Sequence, residues 1–256
     1  MDQAERLRNI IKKQDFKADH ERVAKVITVT SGKGGVGKTS LSVNLAIQLG
    51  RLGKRVVVFD ADFGLANIEI MLGIRPKYNL ADLMYRGKSI EDIITYGPEN
   101  IGFISGGSGI NELANLTRDQ VFSMVHRLGD LDRIADVVIV DTGAGISDTV
   151  LEFVAASEEV LLVATPEPTS ITDAYALLKT LNKKASYRPE KTVVKMVANQ
   201  VRGESEAAEL FEKLGIVVEK FLDIKVEFLG SVPYNRNMQR AIMRQAPVSI
   251  SDPESD

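Results

Sequence analysis

The 256 residues contain no cysteine. That excludes disulfides, thiolate metal sites and a cysteine nucleophile, and it suits the cytosol. The opening MDQAERLRNIIKKQ lacks the apolar core of a signal peptide. No apolar run approaches the ~20 residues that span a bilayer. Any membrane contact is therefore expected to be peripheral. A formal net charge of −3 gives no global basic field for nucleic acid. There is no internal repeat and no low-complexity segment. What is present is an apolar content of 44%, enough for one buried core. The length allows one α/β domain or two small ones.

The most informative stretch is residues 26–39, VITVTSGKGGVGKT. Val26 to Thr30 form a β-branched run, a glycine-rich loop follows, and a helical pattern comes next. Strand, glycine loop and helix make the phosphate-binding layout. Gly32, Gly37, Lys38 and Thr39 fit G-x-x-x-x-G-K-[ST]. Glycines let backbone N–H groups wrap a phosphate without Cβ clashes. Lys38 would reach the β- and γ-phosphates, and the Thr39 hydroxyl would ligate Mg²⁺. The same loop also reads Gly32-x-Gly34-x-x-Gly37, with Asp60 ending the next strand. That is the dinucleotide fingerprint with its ribose carboxylate. The two readings part at Lys38-Thr39, which only a nucleoside-triphosphate site requires.

Later residues favour the triphosphate. The second strand ends in Asp60-Ala61-Asp62, two carboxylates at the sheet edge where ligands sit. Beside a phosphate loop they would hold Mg²⁺ waters or orient the attacking water. An aliphatic strand at 136–140 ends in Asp141-Thr142-Gly143, the Walker-B arrangement, for which a dinucleotide site has no use. Gly143 and Gly145 would let this loop move with the γ-phosphate. His126, alone on a helix, is expected to pack rather than react.

Strand–helix alternation predicts an α/β fold, a mostly parallel sheet of about seven strands with helices on both faces. Helices are expected at 40–52, 79–85, 89–95, 118–129, 204–214 and 237–244, with another at 169–181 begun by a Thr/Ser cap. Asn199-Gln200 should follow a strand at 192–198. Residues 1–13 read as an amphipathic helix that either packs back or docks a partner, and 14–22 as a linker. The ATPase domain would run from 23 to 256. Residues 251–256 look like the cap of a further helix, so the natural chain is expected to continue.

Four motifs together resemble the deviant Walker A ATPases of the MinD/ParA group, over roughly 23–248. They are the loop from Lys33 to Thr39, Asp60-x-Asp62-x-Gly64-Leu65-Ala66-Asn67, Asp141-Thr142-Gly143-Ala144-Gly145, and Asn199-Gln200. The resemblance implies a P-loop NTPase that uses ATP/ADP and Mg²⁺. Two subunits would sandwich two ATP molecules, with Lys33 crossing the interface to the partner's nucleotide. Backbone amides from Gly34, Gly35, Val36, Gly37, Lys38, Thr39 and Ser40 would hold the phosphates. Asn199 would read the adenine edge, with Pro233 beside it. Asp60 and Asp141 would lie in or near the shell of the Thr39-bound metal. Asp62 is the choice to orient the water, with Asp60 its rival. Turnover would be slow and controlled by partners, since no arginine finger is evident.

Within the group, Asp2-Gln3-Ala4-x-x-Leu7-Arg8 resembles the start of the flagellar-number regulators FlhG, also called FleN or YlxH. That resemblance implies a helix that stimulates the signal-recognition-type GTPase FlhF. It also implies possible contact with flagellar switch (C-ring) proteins and reversible attachment to the inner membrane face through a C-terminal amphipathic helix. No nucleic acid is expected. Cell-division MinD and partitioning ParA remain the alternatives.

Overall fold

The computed structural model describes residues 23–63, 65–107, 113 and 116–255. The expected helix at 1–13, its linker and Gly64 lie outside the described residues. Eight strands form one sheet: β1 (Lys25–Thr30), β2 (Val56–Ala61), β3 (Thr95–Tyr96), β4 (Gly102–Ile104), β5 (Val137–Thr142), β6 (Glu159–Ala164), β7 (Val193–Val201) and β8 (Val226–Pro233). Their spatial order is β3-β4-β2-β5-β1-β6-β7-β8. All neighbours are parallel except the β3–β4 pair.

The described helices are α1 (Lys38–Arg51), α2 (Asn67–Leu72), α3 (Leu80–Tyr85), α4 (Ile90–Ile93), α5 (Arg118–Arg127), α6 (Asp148–Ala156), α7 (Pro168–Asn182), α8 (Glu204–Phe221), α9 (Arg236–Met243) and α10 (Val248–Ser251). They cover both faces. Strand alternation divides the core: Val56 and Val58 pack with Val43 and Ile47 of α1, whereas Val57 and Phe59 pack with Phe153 of α6 on the other side. That two-sided burial is why the central strands are nearly pure aliphatics. A second core on the α6 side joins β6 and β7 to α7 and α8 through Leu162, Met196, Leu177 and Leu210.

Eight strands stand where about seven were expected. The addition is β3, whose first residue, Thr95, falls at the end of the helix expected at 89–95. The capping box of Ser89 and Asp92 starts a helix, but it stops at Ile93. Thr95-Tyr96 then pair antiparallel with β4, a short strand covering an otherwise open sheet edge. The helix expected at 169–181 begins instead at Pro168, without a side-chain cap. The candidate hydroxyls are used elsewhere: Ser170 Oγ accepts from the Thr165 N–H at 3.0 Å, and Thr169 Oγ1 accepts from Lys33. α8 runs past the expected 214 to Phe221, because Leu214 and Val218 continue its buried stripe. Asn199 and Gln200 lie within β7 rather than after it. Residues 67–72 form a helix where none was expected.

Candidate functional site

β1 ends at Thr30, and the chain turns through 31–37 into α1. Gly35 and Gly37 hold φ of +76° and +94°, a region that L side chains avoid. Gly37 precedes α1 without any side-chain cap. The unpaired N–H groups of the first turn are thus left for a ligand. Gly32 serves a different purpose from phosphate wrapping. A Cβ there would stand 2.1 Å from the main chain of Asp173. Loop and α7 meet backbone to backbone, so this glycine is a packing requirement.

Lys38 is buried, and its Nζ donates to Ser31 Oγ at 3.1 Å. Burial draws its pKa down, and the carboxylates of Asp141 and Asp62 work against that shift. Asp141 lies next to the end of β5, fully buried. Its Oδ1 accepts from Ser42 Oγ at 2.9 Å, and the neighbouring Thr39 hydroxyl favours its charged form. Burial nevertheless pushes its pKa up to about 6. Its Oδ2 is buried without a hydrogen-bond partner. An orphaned carboxylate oxygen beside a threonine hydroxyl suits a hydrated divalent cation.

The two aspartates at the end of β2 are not equivalent. Asp60 lies opposite Asp141 in the β2–β5 register and is fully buried. Its carboxylate turns inward: Oδ1 accepts the Asp62 N–H at 3.1 Å, and Oδ2 accepts the Ile68 N–H at 3.4 Å. Burial first, then the neighbouring Asp141 charge, holds its pKa well above the usual carboxylate range. Asp62 is half-buried and lines the cavity over the loop. Asn67 Nδ2 donates to its Oδ2 at 2.9 Å. Burial raises its pKa while Lys38 opposes the rise. Gly143 makes room for it, since a Cβ there would sit 3.0 Å from Asp62 Oδ1. The Gly145 N–H donates to Ser31 O at 3.0 Å, tying the loop after β5 to the phosphate loop.

The cavity is about 730 Å³. Gly34, Lys38 and Thr39 line it, as do Pro233, Met238 and Ile242. Its size and mixed lining suit an aromatic base carrying phosphates. Asn199 also lines it, with Nδ2 donating to Val36 O at 2.6 Å; Gln200 donates to Gly35 O at 3.5 Å. β7 therefore braces the outside of the phosphate loop. Lys33 is half-buried, its Nζ paired with Glu167 and donating to Thr169 Oγ1 at 2.8 Å, both at the start of α7. Motif reading missed Ser31, Ser42 and Glu167. Ser42 had a signal, three residues after Thr39 on one helical face. Glu167 had only its place at the end of β6.

The family model for ParA, described as NUBPL iron-transfer P-loop NTPase, matches residues 22–256. The chain belongs to the ParA family of P-loop NTPases. Among its relatives, the antiactivator FleN of Pseudomonas aeruginosa is 42% identical over 90% of this chain and 81% of its own length. The flagellum site-determining protein YlxH of Helicobacter pylori is 34% identical over 94% and 81%. The septum site-determining protein MinD of Pyrococcus horikoshii, solved with Mg-ADP, has the same fold. It superposes with a TM-score of 0.74 at 23% identity, covering 91% of this chain and 90% of that one. Membership in this ATP-hydrolysing family accounts for the loop, the buried Asp141 and the cavity together.

Proposed function

We propose that this ParA-family chain is an ATP-driven switch that sets flagellar number and placement. The observation that carries the reading is the joining of one phosphate loop to Asp62 and Asp141 in a chain 42% identical to FleN. The 34% identity to YlxH supports the flagellar assignment. Iron transfer, named in the matching family description, finds no thiolate among these 256 residues.

In this reading, loop amides from Gly34 to Ser40 and the Lys38 ammonium bind the phosphates. Thr39 and Asp141 would hold Mg²⁺, with Asp60 behind them organising the turn; the ion would neutralise charge developing on the phosphates. Asp62, held by Asn67, orients the attacking water. Asn199 keeps the loop in shape and meets the base end with Pro233. Lys33 leaves Glu167 and reaches the nucleotide of a second subunit, so ATP binding and dimerisation become one event. Turnover is slow until a partner accelerates it. Residues 1–13, with Asp2, Gln3, Ala4, Leu7 and Arg8, dock on the GTPase FlhF, and flagellar switch proteins are further partners. The protein works in the cytoplasm and attaches reversibly to the inner membrane face. Among the described residues no helix is long and apolar enough to cross a membrane.

The deciding experiment measures ATP turnover and FlhF GTPase rate together, with and without residues 1–20. Turnover should survive the deletion while stimulation disappears. Unchanged GTP hydrolysis would remove the docking role. A septum-placement defect with normal flagellar number, on deleting the gene, would move the assignment to cell division.

A further inference from the structure

The segment after α9 folds back over α1, and Ser249 fastens it to that helix. Ser249 is buried, 7% exposed, and all three of its polar groups are taken by α1. Its N–H donates to Asn44 Oδ1 at 2.9 Å, its Oγ accepts from Gln48 Nε2 at 3.3 Å, and its carbonyl accepts from Arg51 Nη2 at 2.7 Å. Asn44, Gln48 and Arg51 stand at i, i+4 and i+7, one face of the helix. The start of the segment is fitted closely too, since a Cβ on Gly73 would lie 2.9 Å from Gln245 O. Its far end is tied by Asn235 Nδ2 to Ser255 Oγ at 2.6 Å and by Asn237 Nδ2 to Asp252 Oδ2 at 2.5 Å.

The segment is also a wall of the cavity. Val248 and Ser255 line it, as does Asn44, while the first turn of α1 carries Lys38 and Thr39. One helix therefore touches the phosphate end of the cavity with its beginning and holds the cavity's wall with its length. We infer that residues 245–255 form a nucleotide-responsive strap. Its attachment to α1 through Ser249 sets the affinity of the cavity, and filling the cavity orders the strap. The inference rests on the nucleotide reading above. Binding linkage makes the two effects reciprocal: whatever loosens the strap weakens nucleotide, and nucleotide tightens the strap by the same factor. Gln48 and Arg51 act as positioning residues and are not among the residues that line the cavity.

The test uses the full chain, a fluorescent ATP analogue and hydrogen exchange of peptides from 245–255. The double variant Gln48→Ala/Arg51→Ala should bind the analogue about tenfold more weakly, with turnover at saturating ATP within about twofold of the parent. Ser249→Ala, which removes one acceptor, should weaken binding roughly threefold. Arg51 also pairs with Glu99 at 3.1 Å. Glu99→Ala breaks that pair alone and should leave affinity unchanged, separating the strap from the helix end. In the parent, the analogue should slow exchange across 245–255. In the double variant these peptides should exchange fast until the higher saturating concentration is reached. Parent-like affinity in the double variant would overturn the coupling, as would strap exchange indifferent to nucleotide in the parent. Should the double variant melt without cooperativity, Ser249→Ala decides by the same two readouts. A parent that bound no nucleotide would refute the proposed function itself and the coupling with it. Normal parent binding with unaffected variants refutes the coupling alone.

Discussion

Where β2 meets β5, Asp60 and Asp141 face each other across the register, and neither is exposed. Where β7 meets β8, the same end of the sheet carries the neutral amides Asn199 and Gln200. The pairing there slips between Met196 and Val197 and again between Asn199 and Val201. Just beyond, Tyr234 is 52% exposed. The first junction holds unfavourable charge in place with aliphatic strands on both sides, a single ammonium and backbone N–H groups. The second uses flexible polar side chains and an irregular edge to brace the loop and shape the cavity. Rigid strands suit groups that must meet developing charge, and irregular ones suit a surface that must accommodate a ligand.

This contrast is open to test, and the largest effect should come from Lys38. Lys38→Ala should lower ATP turnover by about 10³-fold, read in a phosphate-release assay. A loss below tenfold would mean that the β2–β5 charges act without their ammonium. Asp62→Asn should reduce turnover about 100-fold while nucleotide affinity is kept. Asp60→Asn should reduce it less, because that carboxylate is committed to two backbone N–H groups. The reverse order would transfer the water-orienting role to Asp60.

Gly32→Ala should destabilise the nucleotide-free protein by roughly 3 kcal/mol in denaturant titrations, since the new methyl overlaps the α7 backbone. An unaffected midpoint would show that loop and helix separate easily.

Asp141 supplies the pH dependence. Its folded pKa of about 6 lies above the ordinary 3.8. The folded state therefore holds the proton more tightly than the unfolded chain. Stability without Mg²⁺ or nucleotide should fall as pH rises between those values and stay low above them. Asp60, shifted the same way by burial, adds to the fall. Asp141→Asn should flatten this slope and raise the melting temperature at pH 7, by scanning calorimetry. The smallest effect is expected on the β7 side. Asn199→Ala should weaken nucleotide binding by less than about tenfold, the cost of one brace.

Much of this was legible in the sequence for a simple reason: buried parallel strands must be aliphatic, and a carboxylate ending such a strand stands out. Asp60, Asp141 and the alternating architecture follow from that, and the phosphate loop from its glycines and Lys38-Thr39. Other features were hidden because they depend on contacts between distant segments. The sequence sets Asp60 and Asp62 side by side, with Asp62 preferred for the water and Asp60 its rival; the turn leaving β2 buries Asp60 and puts Asp62 in the cavity. Gly32 looked like a phosphate glycine, and its true neighbour, Asp173, lies in another helix. Glu167 gave no sign of pairing with Lys33. The two residues of β3 were hidden by a capping signal that correctly started a helix but could not say where it would end.

The strand order also has a consequence in time. β1 sits between β5 and β6, both made much later, so the emerging loop has neither neighbour. Ser42 waits for Asp141 across 99 residues of chain, roughly 5–20 s at common rates of synthesis. Until then β1 has two open edges, a hazard for aggregation that the ribosome-bound chain must survive. The phosphate loop is among the first parts of the described domain to be made, yet its chemistry is assembled only after Asp141 has been translated.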